Sequence, residues 1–283
     1  MAAAASLSSR LNAVSYVAPR LAGRRAFKLF IEPLRRAEIR PAQQPVMDAA
    51  LVSTLDHDGV PVKTYRWGEG PRPVLLVHGF QSRAASWAGL VPALHEAGLP
   101  VLAYDAPGHG DSGGVSATIV DQAAIIARLQ AEHGPFRAIA GHSFGVLCAF
   151  HAVRSGVTAG RLVSISGISS FAYLADAFCT QLSLRPAISR ELRRRTEIYF
   201  RPQTDIWERF SPTYRPEQIT MPILVVHDEE DREVPARHGR RIAEAYSSVA
   251  DLTLTQGLGH RRILGDPGVI ETVTRFLTKT DEQ

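Results

Sequence analysis

The chain has little cysteine. Only Cys148 and Cys179 occur in 283 residues, and their positions show neither metal-ligand spacing nor a disulfide framework. No zinc site and no oxidised staple are expected, and such usage suits a reducing compartment, with the cytoplasm as the expected location. The sequence also lacks any run approaching the ~18 apolar residues that a membrane-crossing helix needs. It has no internal repeat and no low-complexity tract. Acid is missing from the first 31 residues, where all the charge is positive. What is present is ordinary for a globular protein: 45% hydrophobic and 21% charged residues, in a length that buries a sizeable core within one principal domain.

Charge is unevenly placed. Residues 1–47 carry Arg10, Arg20, Arg24, Arg25, Lys28, Arg35, Arg36 and Arg40 against Glu32 and Glu38, a net of +6 within a chain total of +4. The body is therefore slightly acidic, and no nucleic-acid partner is expected of it. Leu7, Leu11, Val14 and Leu21, then Phe27, Phe30, Ile31 and Leu34, recur near helical spacing, which predicts one or two short helices in a basic arm spanning residues 1–50. Packing of this arm on the body is the first reading. Peripheral contact with an anionic membrane is the second. An organelle transit segment is the third, and a secretory signal is disfavoured because Asn12 and Ser15 interrupt the apolar stretch.

Beyond the arm, strand and helix alternate. Residues 51–55 and 60–67 flank the turn Asp56-His57-Asp58-Gly59 and read as a hairpin at a sheet edge. Strands at 73–78, 100–105, 136–141 and 161–166 alternate with helices at about 84–97, 116–133 and 144–155. Further strands follow at Pro222–Val226 and Asp251–Thr255. This rhythm predicts an α/β fold with a mostly parallel, doubly wound sheet built from residues 51–167 and 216–283. Residues 168–215 break it. There Phe171, Tyr173, Leu174, Phe178 and Leu182 fit an apolar helix face, and Arg185, Arg190, Arg193, Arg194, Arg195 and Arg201 form a cationic stretch. The triple Arg193-Arg194-Arg195 reads first as a solvated helix face and second as an anion clamp.

One pentapeptide carries chemistry. Gly141-His142-Ser143-Phe144-Gly145 follows an apolar strand and opens a helix, the context of a nucleophile elbow, in which a tight strand-to-helix turn lifts a serine hydroxyl clear of the backbone. Such a serine needs a base and an orienting acid, placed downstream in the order acid, then histidine. The strand Pro222–Val226 leads into His227-Asp228-Glu229-Glu230-Asp231-Arg232-Glu233-Val234-Pro235, and a later loop, Gly257-Leu258-Gly259-His260, presents one histidine. Ser143 is thus the candidate nucleophile and His260 the candidate base. The acid is open at this point among the carboxylates of that turn, Asp228 and Asp231 included, with Asp105 behind them. His78 and His142 read as packing or hydrogen-bonding residues of their turns, His109 as structural, and the remaining histidines as packed or solvated.

These segments resemble the α/β-hydrolase superfamily over roughly residues 51–280. Its His-Gly-x motif is matched by His78-Gly79-Phe80, its Asp-x-Pro-Gly-x-Gly-x-Ser turn by Asp105 to Ser112, and its acid motif by His227, Asp231, Val234 and Pro235. The chain departs at Asp228, where the family usually has glycine. The resemblance implies the α/β-hydrolase fold with a small helical lid at residues 168–215, a Ser143-Asp231-His260 triad, and an oxyanion hole from the backbone N–H groups of Phe80 and Phe144. It implies neither cofactor nor metal. The expected substrate is a small-molecule carboxylic ester with a small to medium acyl group, with a thioester as an alternative. Lactones, amides and carbon–carbon bonds are cleaved by the same constellation in relatives, and some members are non-catalytic receptors. Serine rather than aspartate at the elbow argues against the superfamily's epoxide hydrolases and dehalogenases.

Overall fold

The computed structural model describes residues 2–279, with side chains from Leu7 onward. Three helices lie in the arm: α1 (Ala2–Val17), α2 (Pro19–Ile31) and the short α3 (Gln44–Asp48). The strands are β1 (Leu51–His57), β2 (Val60–Trp67), β3 (Val74–Val77), β4 (Val101–Tyr104), β5 (Ala138–His142), β6 (Leu162–Ile165), β7 (Ile223–Asp228) and β8 (Ala250–Thr255). Between and after them run α4 (Leu90–Glu96), α5 (Ile119–His133), α6 (Phe144–Arg154), α7 (Phe171–Gln181), α8 (Pro186–Tyr199), α9 (Ile206–Arg209), α10 (Arg237–Ala245), α11 (Gly259–Arg262) and α12 (Pro267–Thr278).

The eight strands form one sheet in the order β1-β2-β4-β3-β5-β6-β7-β8. The β1–β2 hairpin and the β2–β4 pairing are antiparallel, and every other neighbour is parallel. Strands β3 to β7 are buried along their whole length, as their unbroken apolar runs require when helices cover both faces. Successive side chains take opposite faces. Leu75, Val77, Leu102 and Ile139 pack with Ile125 and Ile126 of α5, Phe150 of α6 and Ile242 of α10. Val74, Leu76, Ala103 and Ala140 pack with Leu90 and Leu94 of α4 and Val273 and Leu277 of α12. Each such buried side chain stabilises the fold by roughly 1.5–3 kcal/mol relative to exposure.

Two element boundaries differ from expectation for local reasons. Helix α5 begins at Ile119 because Thr118 caps it: Asp121 N–H donates to the Thr118 hydroxyl at 3.1 Å and Thr118 N–H donates to the Asp121 carboxylate at 2.8 Å. The helix expected over 84–97 is instead a 3-10 turn at Ala84–Trp87 followed by α4. Pro92, which has no N–H for an internal helical bond, fits only in the first turn of a fresh helix.

The first two helices of the arm pack on the insertion, and its later part reaches the sheet core. Leu11, Ala22 and Ala26 share a buried cluster with Ala175 and Cys179 of α7 and Ile188 and Leu192 of α8. Polar contacts reinforce it: Asn12 Nδ2 donates to the Ser183 carbonyl at 2.9 Å while its Oδ1 accepts from Arg185 N–H at 3.0 Å. The Arg185 guanidinium reaches Ser15 Oγ at 3.1 Å and lies 3.5 Å from the Tyr16 ring centroid. The cationic stretch is largely consumed internally, because Arg193 pairs with Asp176, and Arg194 and Arg195 both pair with Glu191. Among the described residues, the arm's hydrogen bonds to the sheet domain come from its later part. There Arg36 donates to the carbonyls of Gly110, Ser112 and Gly114, and Trp67 Nε1 donates to the Val46 carbonyl at 2.7 Å. Among the described residues, no helix is long and apolar enough to cross a membrane.

Candidate active site

Ser143 stands between β5 and α6 at φ 53°, ψ −117°, a conformation that costs a non-glycine residue of order 1–3 kcal/mol. Its surroundings enforce it. Ser143 N–H is held by the Ile165 carbonyl of β6 at 3.0 Å, and a Cβ at Gly145 would run into the Val77 carbonyl of β3. Glycine there lets α6 approach β3 closely enough to hold the turn. Phe144 is the first residue of α6, so its N–H has no intrahelical acceptor. It donates to no other group among the described residues.

A second free amide lies nearby. His78 Nδ1–H donates to the Gly79 carbonyl at 2.7 Å, and His78 Nε2 accepts from Ala106 N–H at 3.0 Å. Because a trans peptide directs its C=O and N–H oppositely, fixing the Gly79 carbonyl turns Phe80 N–H the other way. Burial, outweighing the nearby Asp105 charge, keeps the His78 pKa below the usual range, so the neutral tautomer that makes both bonds persists. The Phe80 and Phe144 rings meet edge to face at 6.4 Å, beside Ser143.

The turn after β7 carries the candidate acid. Asp231 Oδ1 accepts from the N–H groups of Glu233 and Val234 at 2.9 and 2.8 Å, which leaves Oδ2 to receive His260 Nδ1–H at 2.7 Å. Burial pushes the Asp231 pKa up, but the His260 hydrogen bond and charge and the Val234 amide outweigh it, so the net shift is downward. His227 braces the same turn through Nε2–H to the Val234 carbonyl at 2.8 Å. Asp228 faces elsewhere: its carboxylate accepts from Glu230 N–H at 3.0 Å, Thr255 Oγ1–H at 2.8 Å and Leu258 N–H at 3.0 Å. It ties β7 to the loop beyond β8 and does not meet His260. Asp105 fixes its own turn, accepting from Asp111 N–H at 2.9 Å, and also holds Ala84 N–H at 2.7 Å and Tyr65 OH at 3.0 Å.

His260 lies in the single-turn helix α11, a more ordered setting than the loop expected there. Its carbonyl accepts from His142 Nε2–H at 2.8 Å, so the residue before Ser143 grips the backbone of the histidine. Burial first, then the neighbouring His260, lowers the His142 pKa to about 3, which keeps it neutral. Among the described residues no hydrogen bond joins Ser143 Oγ to His260. Both side chains line one cavity, and such bonds commonly tighten only when substrate is present. No group of three or more His, Cys, Asp or Glu suited to a metal ion occurs among the described residues.

The shared cavity has a volume of about 1710 Å³ and is lined by Gly79, Phe80, His142, Ser143, Phe144 and His260 at its chemical end. Tyr173, Leu174 and Phe178 of α7 and Phe200 line it from the insertion. Leu29, Phe30, Ile31 and Leu34 line it from the arm. The sequence contained a signal for these arm residues, the helical recurrence of apolar side chains, but nothing that named the cavity as their destination. The brace between His142 and the His260 backbone also left no trace in spacing.

Comparison with known proteins agrees with this architecture. The chain is 33% identical over 132 residues to "Epoxide hydrolase A" of Mycobacterium tuberculosis (strain ATCC 25618 / H37Rv), a match covering 44% of this chain and 39% of that relative, about two fifths of its length. Among solved structures, an esterase of Pyrococcus furiosus superposes with a TM-score of 0.66 at 19% identity, covering 87% of this chain and 98% of the other. Alpha/beta hydrolase domain-containing protein 10 from mouse superposes with a TM-score of 0.63 at 20% identity, over 81% and 97% of the two chains. These structures share the fold. The family model for alpha/beta hydrolases matches residues 74–272, from β3 into α12, and the chain belongs to the alpha/beta hydrolase family.

Proposed function

We propose that this hydrolase-family protein is a serine hydrolase that cleaves carboxylic esters through Ser143, His260 and Asp231. The observation that carries the reading is the buried 2.7 Å contact of His260 Nδ1 with Asp231 Oδ2, facing the same cavity as a serine held at φ 53°. His260 Nε2 takes the Ser143 proton as Oγ attacks the ester carbonyl carbon, and Asp231 holds the tautomer and stabilises the imidazolium. The N–H groups of Phe80 and Phe144 receive the oxyanion, each contributing on the order of 3 kcal/mol to the transition state. The protonated His260 then gives its proton to the leaving alcohol, and water activated by the same ring resolves the acyl-enzyme. Helices α7 to α9 serve as the lid, shaping the acyl pocket and excluding water. The relative named an epoxide hydrolase leaves this reading intact, since the elbow here carries a serine hydroxyl.

Steady-state hydrolysis of p-nitrophenyl esters from acetate to dodecanoate, beside matched acyl-CoA thioesters, tests it. Turnover by the wild type that is lost in Ser143→Ala is the expected result. A preference for the thioesters would move the substrate class within the same mechanism. A folded wild type that binds ligands stoichiometrically and turns over none of these compounds would refute it in favour of a receptor.

A further inference from the structure

The arm is built into the wall of the catalytic cavity. Helix α2 lies along α8, with backbones so close that a Cβ at Gly23 would overlap the Glu191 side chain. Ser8 Oγ–H donates to the Leu182 carbonyl, and Arg195 Nη2 donates to the Arg20 carbonyl at 3.4 Å. At the end of α2, the Phe30 ring packs edge to face on Phe178 of α7 at 5.4 Å. Downstream, Arg36 fastens the arm to the loop that follows β4 through three backbone carbonyls. The chain between these anchors carries Leu29, Phe30, Ile31 and Leu34 across the cavity that Ser143 and His260 also line. Two of these are not needed by the arm's own packing. Leu34 is 69% exposed, and Ile31 is absent from the apolar cluster that joins arm and insertion.

We propose that the arm and α7 together form an acyl-chain chamber, with Phe30 and Leu34 as residues that set the length of chain admitted. The volume supports this: about 1710 Å³ exceeds the roughly 300–1,000 Å³ of an ordinary small-ligand pocket. Apolar side chains line it from both sides, Leu7, Leu29 and Phe30 of the arm and Leu174, Phe178 and Leu182 of the insertion, while Arg35, Glu38 and Arg40 add charge from the later arm. The ligand class is a medium to long linear acyl group, with its carboxyl carbon at Ser143 and its tail against the arm. The choice of an acyl ligand rests on the serine-hydrolase reading, whereas the chamber is defined by the packing alone.

Two readouts separate the chamber from the chemistry. Calorimetric titration with decanoic acid reads the chamber, and the ratio of kcat/KM for p-nitrophenyl decanoate to that for the acetate reads its use in turnover. Each methylene forced out of an apolar site costs roughly fourfold in affinity, so Phe30→Trp and Leu34→Trp are each expected to weaken decanoic acid binding tenfold or more and to lower the kcat/KM ratio similarly. Leu34→Trp guards against a folding artefact because its side chain is exposed. Ser143→Ala is expected to bind the acid like the wild type. Wild-type binding that neither tryptophan variant changes, or no binding at all, would overturn the chamber. Decanoic acid binding with the expected variant effect, in a wild type that hydrolyses not even acetate, would keep the chamber and remove only the esterase reading.

Discussion

The strand-end loops of the sheet and the roof formed by the arm and insertion hold the same cavity in different ways. In the loops, side chains are fixed by backbone groups a few residues away: Asp231 by the amides of Glu233 and Val234, Asp228 by that of Glu230, His78 by the carbonyl of Gly79. The roof is held by segments more than 170 residues apart, such as Asn12 with Ser183 and Arg185, and by apolar contact that many side chains could supply. Chemistry demands positions held to a fraction of an ångström, and local hydrogen bonds to a rigid sheet provide that. A substrate envelope needs only shape and apolar surface, which long-range packing provides.

Substitutions at the two acids give the largest contrast within the loops. Asp231→Asn is expected to lower kcat by about 10⁴-fold with little change in fold, because it offers His260 the wrong tautomer partner. Asp228→Asn is expected to retain activity within about tenfold yet lose about 1–3 kcal/mol of stability, since an amide group would face N–H donors. Ester kinetics and urea unfolding on both variants check this, and equal kinetic damage would erase the distinction between them.

Acid should undo the sheet domain through its buried histidines. Burial is the first cause in each case: His78 and His227 lie below the usual range, His109, His151 and His238 are lowered to about 4, and His142 to about 3. In the unfolded chain these groups titrate near ~6.5. As pH falls from about 6.5 toward 4 the unfolded state therefore gains protons that the folded state refuses. Each histidine removes up to about 1.4 kcal/mol of stability per pH unit in that window, and nothing above it. The urea midpoint should be flat from pH 8 to 7 and drop steeply from 6.5 to 5. A flat profile to pH 5 would show that these rings are not buried as neutral bases.

Gly23→Leu tests the roof. The added side chain meets Glu191 and is expected to cost about 1–3 kcal/mol as overpacking, read as a fall in Tm. An unchanged Tm would mean that α2 and α8 do not pack as described. The smallest effect is expected at the proposed nucleophile. Ser143→Gly should raise stability by about 1 kcal/mol, because glycine relaxes the φ 53° strain. No gain on thermal unfolding would place the serine in an unstrained turn.

Much of the sheet domain was legible in the sequence, because its devices are local. Apolar runs at β3 to β7, the Gly-His-Ser-Phe-Gly turn at Ser143 and the turn after β7 are each marked by residues close in the chain. Boundaries moved where a cap or proline intervened, as at Thr118 and Pro92. Spacing alone left Asp228 and Asp231 as rivals. The choice depends on which carboxylate has an oxygen left for His260, and that is set by amides from two loops that the β7–β8 pairing brings together.

The sequence by itself determined the alternation of strand and helix, the elbow at Ser143 and the order of its partners, because periodicity and turn chemistry act within a few residues. Only the tertiary structure decided that Asp231 meets His260, that His142 grips the His260 backbone, and that the basic arm joins the insertion in walling the cavity. These are contacts between segments roughly 30 to 175 residues apart. Nothing in the local chain specifies them, and they exist only once the sheet has ordered its strands and the apolar faces of the arm and insertion have found each other.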